Sequence, residues 1–492
     1  MPGQTLRCHP SIILEGMLQV TFFTAFILFM TMPLDLTTIA GISAAVLAAG
    51  AAISYRRWKL TTITFGETEV VVERDTVFKL KKNVPYSKIA TVNVNRGIIN
   101  RLFGTSKLLI NINSGHNAMA PEVSLTFKQE LADRIRADIS ERLHAREACL
   151  DEEEVQPLVK FSPGDVIVHG LFSVSTPQTI LGFVFLAYSA IELYFSTVSD
   201  LAAGGSAVVS LIMFFVLQLM PSFTNIIRYY NFKVYRKGDV IHLEHGMIRT
   251  YRTSFSISRI NAVRVKSSLV ARLLHRSCIE AEVVGVGSAG GGDSTRPTIS
   301  LLKDDATTQR LLRELVPEFI YDHGTNKQPR GALDALRSRA AVASLALVLV
   351  MAYPSLLIYG AFANPASALE VAAPFVLPAL TAAAVAAMFY AAAASYRIRE
   401  FDAGEDLFMF VNGVLDRETV VMSYDKVQMV WIVKGPLTGR FGVAGGRVFL
   451  LSSTGTKVIR SGLFAEERLE SINETVMARI TSGKHDPRRN SI

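Results

Sequence analysis

Three pairs of basic residues flank short turns at matching places along the chain: Arg96 and Arg101, Lys266 and Arg272, Lys434 and Arg440. Cations in such a setting have three uses. They bond backbone or a helix end and so hold the turn. They meet an anion or lipid headgroup, where each basic residue close to an anionic leaflet contributes about 1 kcal/mol. Or they flank a strand edge that meets a partner or a neighbouring copy. Holding the turn is the simplest use, and the six residues stand as candidate lipid- or partner-binding positions.

Other patterns carry less chemistry. Gly285-Val-Gly-Ser-Ala-Gly290 has the glycine spacing of a dinucleotide site. That chemistry needs the glycines between a strand and a helix start, where amides and dipole face a pyrophosphate. Here the strand-like Thr298-Ile-Ser-Leu-Leu302 follows, so an extended hairpin loop is expected, and no cofactor. His242 and His245 lie on a stretch that reads as a strand, which turns them to opposite faces instead of toward one metal. Cys8, Cys149 and Cys278 are odd in number and far apart, fitting neither a zinc site nor a disulfide framework. There is no Ser/His/Asp set, HExxH motif or P-loop lysine, and the carboxylates show no paired spacing. Catalytic and metal sites are therefore not expected, and the chain does not read as an enzyme. Glu15, Glu192 and Gln218 interrupt apolar runs. Such residues can mark an ion path, but three isolated ones make no relay.

The elements that position these residues emerge from composition. The chain has 492 residues, 50% apolar and 19% charged, with a net charge of +8. Typical soluble domains are about 25% charged. The apolar residues concentrate at 12–32, 39–54, 177–197, 203–222, 340–360 and 371–394. A helix needs about 20 residues at 1.5 Å each to cross a hydrocarbon core of about 30 Å. Six transmembrane helices in three tight hairpins are therefore expected. The first run has no small-residue cleavage pattern and has equivalents downstream, so it reads as a span and not a signal peptide. The connectors 33–38, 197–205 and 361–370 lack Lys and Arg, whereas the outer flanks hold Arg7, Arg56, Arg57, Arg228, Arg337, Arg339, Arg397 and Arg399. By the positive-inside rule both termini and all three long polar segments are cytoplasmic. The basic excess then reports topology and attraction to the lipid bilayer. No stripe of Lys/Arg with interleaved aromatics points to nucleic acid.

Each hairpin is followed by a segment with shared order. The first has Tyr86-Ser-Lys-Ile89, Arg96-Gly-Ile-Ile99 and Arg101-Leu-Phe-Gly104; the second has Ile257-Ser-Arg-Ile260, Lys266-Ser-Ser-Leu269 and Arg272-Leu-Leu; the third has Tyr424-Asp-Lys-Val427, Lys434-Gly-Pro-Leu437 and Gly439-Arg-Phe-Gly442. Arg101 to Arg272 is 171 positions, and Arg272 to Arg440 is 168. Alternating stretches such as Glu69-Val-Val-Val-Glu73 read as strands. Each segment ends in an amphipathic helix, near 128–146, 304–319 and 465–480. Several strands and one closing helix describe a small β-barrel or sandwich. The stretch at 163–170 resembles that at 10–16, and both read as interfacial lead-ins to a span.

In the third segment, Lys426-Val-Gln-Met-Val-Trp-Ile-Val-Lys-Gly-Pro-Leu-Thr-Gly-Arg-Phe-Gly442 resembles the core signature of the bacterial pleckstrin-homology-like domain of membrane-flanked proteins. The alternation of spans and segments over the whole chain is similar to that family's long, three-copy, YdbT-like members. The resemblance implies membrane α-helical hairpins plus α+β domains: three tandem PH-like units of about seven strands, each with a C-terminal helix, on a bacterial inner-membrane protein. It also implies a shorter single-copy PH-like membrane protein as a partner, with self-association as the other option, and a setting of envelope stress or antimicrobial resistance. The second segment departs from the pattern, with Leu274-His275 for Phe-Gly and Ser267-Ser268 for the Gly-led turn, so a shared loop function is least expected there.

The expected division is a first hairpin at 1–58 and PH-like domain 1 at 59–148. A linker and second hairpin occupy 149–228, and domain 2 occupies 229–322. A linker and third hairpin follow at 323–396, then domain 3 at 397–482 and a basic tail at 483–492. A non-catalytic scaffold or binding module is the expected function, against a transporter or lipid-handling protein working through its spans.

Overall fold

The computed structural model describes residues 4–14, 17, 36–75, 79–86, 89–112, 123–143, 161–195, 201–284, 296–361, 368–452 and 455–483. The first repeat comprises β1 (Gln4–Leu6), α1 (Leu36–Lys59), β2 (Thr61–Phe65), β3 (Glu69–Asp75), β4 (Lys79–Pro85), β5 (Ile89–Arg96), α2 (Ile98–Leu102), β6 (Thr105–Ile112), β7 (Val123–Lys128) and α3 (Gln129–Leu143). The second follows with α4 (Pro163–Phe172), α5 (Thr176–Phe195), α6 (Leu201–Phe214), α7 (Met220–Tyr229), β8 (Lys233–Lys237), β9 (Val240–His245), β10 (Thr250–Ser256), β11 (Ile260–Ser267), α8 (Leu269–Leu273), β12 (Arg276–Val283), β13 (Thr298–Asp304) and α9 (Asp305–Leu315). The third has β14 (Asn326–Lys327), α10 (Arg330–Ala361), α11 (Ala368–Ile398), β15 (Glu400–Ala403), β16 (Leu407–Gly413), β17 (Arg417–Ser423), β18 (Val427–Val433), α12 (Pro436–Arg440), β19 (Ala444–Ser452), β20 (Gly455–Phe464) and α13 (Glu466–Thr481).

Each repeat splits its strands between two sheets. The division falls at the recurring Tyr/Ile-x-Lys/Arg motif, where short 3-10 turns at Ile257–Arg259 and Tyr424–Lys426 lead the chain from one layer into the other. In the first and third repeats the motif tyrosine reaches back to the opening turn: Tyr86 donates to the Gly66 carbonyl (3.2 Å) and Tyr424 to the Gly404 carbonyl (3.1 Å). The strand after each corner begins with a register shift, between Ile89 and Thr91, Ile260 and Ala262, and Val427 and Met429. Such bulges add twist and turn a strand out of its neighbour's plane.

Apolar side chains facing between the two layers form one core per repeat. In the first, Ile63, Phe65, Val70 and Val72 of the leading layer meet Val92, Leu108, Ile110 and Phe127 of the second, and α3 closes the stack with Ala132, Ile135 and Ile139. The second core joins Val234, Ile241 and Phe255 to Ile279, Ile299 and Leu301 under Leu311 and Leu315 of α9. The third joins Phe408, Phe410 and Met422 to Val448, Leu450 and Ile459 under Leu469, Ile472 and Val476 of α13. The closing helices predicted from periodicity are all present. The first is described over 129–143, with 144–146 outside the described residues, and the second yields to a 3-10 turn at Pro317–Phe319, where proline cannot donate to a continuing helix.

The sheets, however, do not stop at repeat boundaries. Strands β5–β7 pair with β8–β10 in a six-stranded sheet of order β7-β6-β5-β10-β9-β8. Likewise β11–β13 join β14–β17 in a seven-stranded sheet of order β13-β12-β11-β17-β16-β15-β14. Only the outer layers, β1-β2-β3-β4 and β18-β19-β20, belong to one repeat. The units are thus sandwiches threaded onto shared sheets, and among the described residues no sheet closes on itself as the barrel alternative required.

The membrane elements are seen in part. Among the described residues, three helices are long and apolar enough to cross a bilayer, Ala207–Tyr229, Arg330–Gly360 and Pro374–Ile398. A fourth span results if Pro163–Phe172 and Thr176–Ala190, bent by 77°, count as one. The expected six are therefore not all seen; most of the first apolar run, 12–32, lies outside the described residues. The lead-in at 163–170 is helix α4, started by a reciprocal Ser162–Asp165 capping box. It crosses α7 closely at Gly170, where a Cβ would lie 2.3 Å from Ile226 Cγ1 and 3.0 Å from the Ser222 carbonyl oxygen.

Candidate functional site

The three basic elements occupy one structural position: the end of a strand, a five-residue helix (α2, α8 or α12), and a left-handed residue leading into the next strand. The left-handed residues are Gly104 (φ 60°), His275 (φ 50°) and Gly442 (φ 66°). The second repeat therefore makes the same turn despite its departures. His275 takes the glycine conformation, and Ser268 caps α8, accepting from the Ala271 amide at 3.3 Å.

The first two elements face the neighbouring repeat. Strands β5 and β10 pair with Arg96 opposite Thr250 and Asn95 opposite Tyr251. Arg101 Nη2 donates to Thr250 Oγ1 at 2.6 Å, and Arg249 Nε returns a bond to Asn95 Oδ1 at 2.7 Å. Arg136 of α3 reaches Ser254 Oγ at 2.9 Å. At the next seam β11 and β17 pair in the equivalent register, with Ser267 opposite Arg417 and Lys266 opposite Glu418. Asp416 accepts from the Leu269 amide (3.2 Å) and the Thr176 amide (3.1 Å), so one carboxylate of the third repeat serves the first turns of α8 and α5. A carboxylate at a helix N-terminus is favoured by unpaired amides and dipole alike.

The second seam also contains ion pairs that the sequence reading missed. Arg264 is 4% exposed and Glu282 fully buried; their Nε and Oε1 atoms are 2.9 Å apart. Arg264 Nη1 also bonds Glu418, Arg296 forms an ion pair with Glu282, and Ser452 of the third repeat donates to Glu282. Burial pushes the Glu418 carboxyl upward, but the charge and hydrogen bond of Arg264 outweigh it, so its pKa lies below the usual range. The available signal was a charge in alternation with apolar residues, Ala262-Val-Arg-Val-Lys266, inside an otherwise apolar strand.

The third element meets no further repeat among the described residues. Lys434 pairs with Glu466 of its own α13, and Arg440 is exposed. Arg272 is half-buried. Beside Lys434, β18 pairs with β19 alone among the described residues, and Met429, Trp431 and Val433 stand 42%, 47% and 40% exposed. By strand equivalence Trp431 takes the place of Asn93 and Arg264, both buried by their seams.

The alternative sites resolve simply. His242 Nδ1 lies 2.9 Å from Ser254 Oγ, and His245 Nδ1 donates to the Arg228 carbonyl at 2.8 Å. Among the described residues no group of three His, Cys, Asp or Glu could hold a metal. The glycine-rich 285–290 and Glu15 lie outside the described residues, as do Cys149 and the side chain of Glu192, but the strands flanking the glycines, β12 and β13, pair antiparallel. Gln218 is buried within a π-helical turn at Phe215–Leu219 that separates α6 from α7.

Comparison with known proteins agrees with this architecture. Residues 18–143, 181–316 and 340–479 each match the family described as Bacterial PH domain. The chain is 24% identical over 324 residues to the UPF0699 transmembrane protein YdbT of Bacillus subtilis (strain 168), covering 61% of this chain and 64% of that protein. No solved structure matches. With three copies covering most of its length and membrane helices between them, the chain belongs to the bacterial PH domain family.

Proposed function

We propose that this protein is a non-catalytic scaffold in a bacterial inner membrane, with six spans and with both termini and the three PH-like units cytoplasmic. Its partner is a PH-like unit on another chain. The open edge of β18 carries this reading. Twice within the chain the equivalent strand receives the third strand of a PH-like unit, in one register and behind the same bulge. At β18 that surface is bare and apolar, and such an edge is a template for strand addition. The one third strand of this chain that meets no other repeat among the described residues, β4, carries Lys79, Lys81, Lys82 and Pro85. Those residues protect an edge from pairing, which favours a separate protein over a second copy. A shorter single-copy relative fits, and envelope stress is the setting the resemblance suggests.

A photo-crosslinker placed at Trp431 in native membranes tests this. Crosslinks into the third strand of a PH-like unit on another protein are expected. Crosslinks into β4 of a second copy would replace the partner by self-association, and adducts with lipid alone would defeat the docking role. Reporter fusions at Asp35, Asp200 and Asn364 test topology: the expected result is an external location for all three.

A second reading, transport or lipid handling through the spans, has one favourable observation. The Gln218 side-chain oxygen is buried without a hydrogen-bond partner in the π-helical turn, and such turns concentrate at functional sites. Transport lost on Gln218→Leu, with folding intact, would favour it.

A further inference from the structure

At the seam between the second and third repeats a cavity of about 780 Å³ lies against the base of the third hairpin. Its wall draws Lys266 from β11, Arg447 and Arg460 from β19 and β20, Arg339 from α10 and Arg399 from just beyond α11. Neither repeat holds it alone. In all, eight Lys and Arg side chains line it against two carboxylates, Asp416 and Glu418. Arg264 and Arg296 are committed to Glu282, Glu418 and Glu280. The other six cations have no carboxylate within ion-pair distance among the described residues.

That arrangement is costly when empty of anions. Burial and then the neighbouring Arg339 push the Arg399 guanidinium below its usual range, and its Nε is buried without an acceptor. Burial followed by the charge of Arg296 lowers Lys457 in the same way. An anion with several oxygens removes both penalties at once, because guanidinium forks match phosphate geometry and charge-assisted bonds are the strong ones.

The location narrows the source of the anion. Between Arg339 and Arg397 there is no Lys or Arg, and α10 and α11 are the two most apolar long helices of this hairpin. Arg339 and Arg399 therefore mark the level at which both helices leave the hydrocarbon, the depth of headgroup phosphates.

We propose that this cavity is a binding site for a phosphate-bearing anion, supplied as the headgroup of an anionic phospholipid. Strand β18 contributes only Val433 to the wall, and all the cations of the site come from other elements. The test uses the full-length chain in detergent, with native mass spectrometry and thermal unfolding as readouts. Phosphatidylglycerol, phosphatidylcholine and inorganic pyrophosphate are added separately. Phosphatidylglycerol is expected to bind at least tenfold more tightly than phosphatidylcholine. An Arg399→Gln/Arg447→Gln double variant should lose at least tenfold, while Arg310→Gln, on the outer face of α9, stays within twofold. Removing repelling cations should leave the lipid-free unfolding temperature unchanged or higher, and Arg460→Gln alone serves if the double variant does not fold. Equal phosphatidylglycerol binding by wild type and variant would overturn the site. Protection by pyrophosphate with no preference between the two lipids would overturn the lipid source and assign a soluble phosphate compound instead.

Discussion

At the first seam the outward positions of β5 hold Asn93 and Asn95, Tyr251 stands opposite Asn95, and the side-chain contacts are single-charge hydrogen bonds from Arg101 to Thr250 and from Arg249 to Asn95. At the second, the matching positions of β11 hold Arg264 and Lys266, set against Glu282 and Glu418. Both seams join the same strands in the same register. The backbone ladder, entered through the same corner and bulge, is therefore sufficient to align neighbouring repeats. The side chains decide how costly separation is, and at the second seam they also leave a surplus of positive charge around a cavity.

The sharpest way to break this contrast is to remove half of the buried pair. Glu282→Leu leaves Arg264 buried with one partner fewer, which should cost about 3–5 kcal/mol. Asn93→Ala, at the matching seam position, should cost at most about 1 kcal/mol. Thermal unfolding of the full chain measures both, and equal losses would dissolve the distinction. Replacing Arg264 and Glu282 together by Met and Leu should recover most of the loss.

Acid separates the seams by a second route. The His245 ring lies between Phe232 and Tyr251, and burial holds its pKa down at about 4 from 6.5. A depressed folded pKa means stability that is full above 6.5 and is lost as pH falls toward 4, because the unfolded chain takes the proton first. The share of this ring in the loss should reach about 2 kcal/mol by pH 5, read as the difference in pH dependence between the wild type and His245→Gln. Tyr251 pairs with both His245 and Asn95, so hydrogen exchange should rise first along β5 and β10. Glu418, whose folded pKa is also depressed, keeps its contribution until pH drops below the ordinary carboxylate value of 4.5. Strands β11 and β17 should then loosen only at lower pH. Simultaneous loosening would contradict the assignment.

Smaller effects refine the comparison. Arg101→Ala removes one charge-assisted bond to Thr250 at an exposed position and should cost about 0.5–1 kcal/mol. The corresponding Arg440→Ala, at an exposed position that meets no other repeat among the described residues, should be neutral within about 0.5 kcal/mol. Smallest of all in stability is Trp431→Lys on the open β18 edge, also within about 0.5 kcal/mol. With the photo-crosslinker moved to Met429 on the same face, that variant should nevertheless abolish partner crosslinking, giving a stability-neutral test of docking.

Much of this architecture was legible in the residues. The recurring Tyr/Ile-x-Lys/Arg corner, the basic turn and the closing helix gave three units in order, because those features are local: a turn needs its left-handed residue and a helix its apolar stripe. Even there, His275 shows that a non-glycine residue can occupy the left-handed position, which its identity alone did not reveal. The basic pairs were recognisable as a set, but their destinations were not. Arg101 bonds Thr250, 149 positions away, whereas Lys434 turns back to Glu466 and Lys266 lines a cavity built by two repeats.

The sequence by itself determined that apolar runs alternate with three repeated units of several strands and a closing helix, since periodicity and composition act over neighbouring residues. Only the tertiary structure decided that the units share sheets, that the shared edges bury ions at one seam and amides at the other, and that β18 is left open. Strand edges pair according to what the fold brings beside them, and any strand of suitable shape offers the same backbone donors and acceptors.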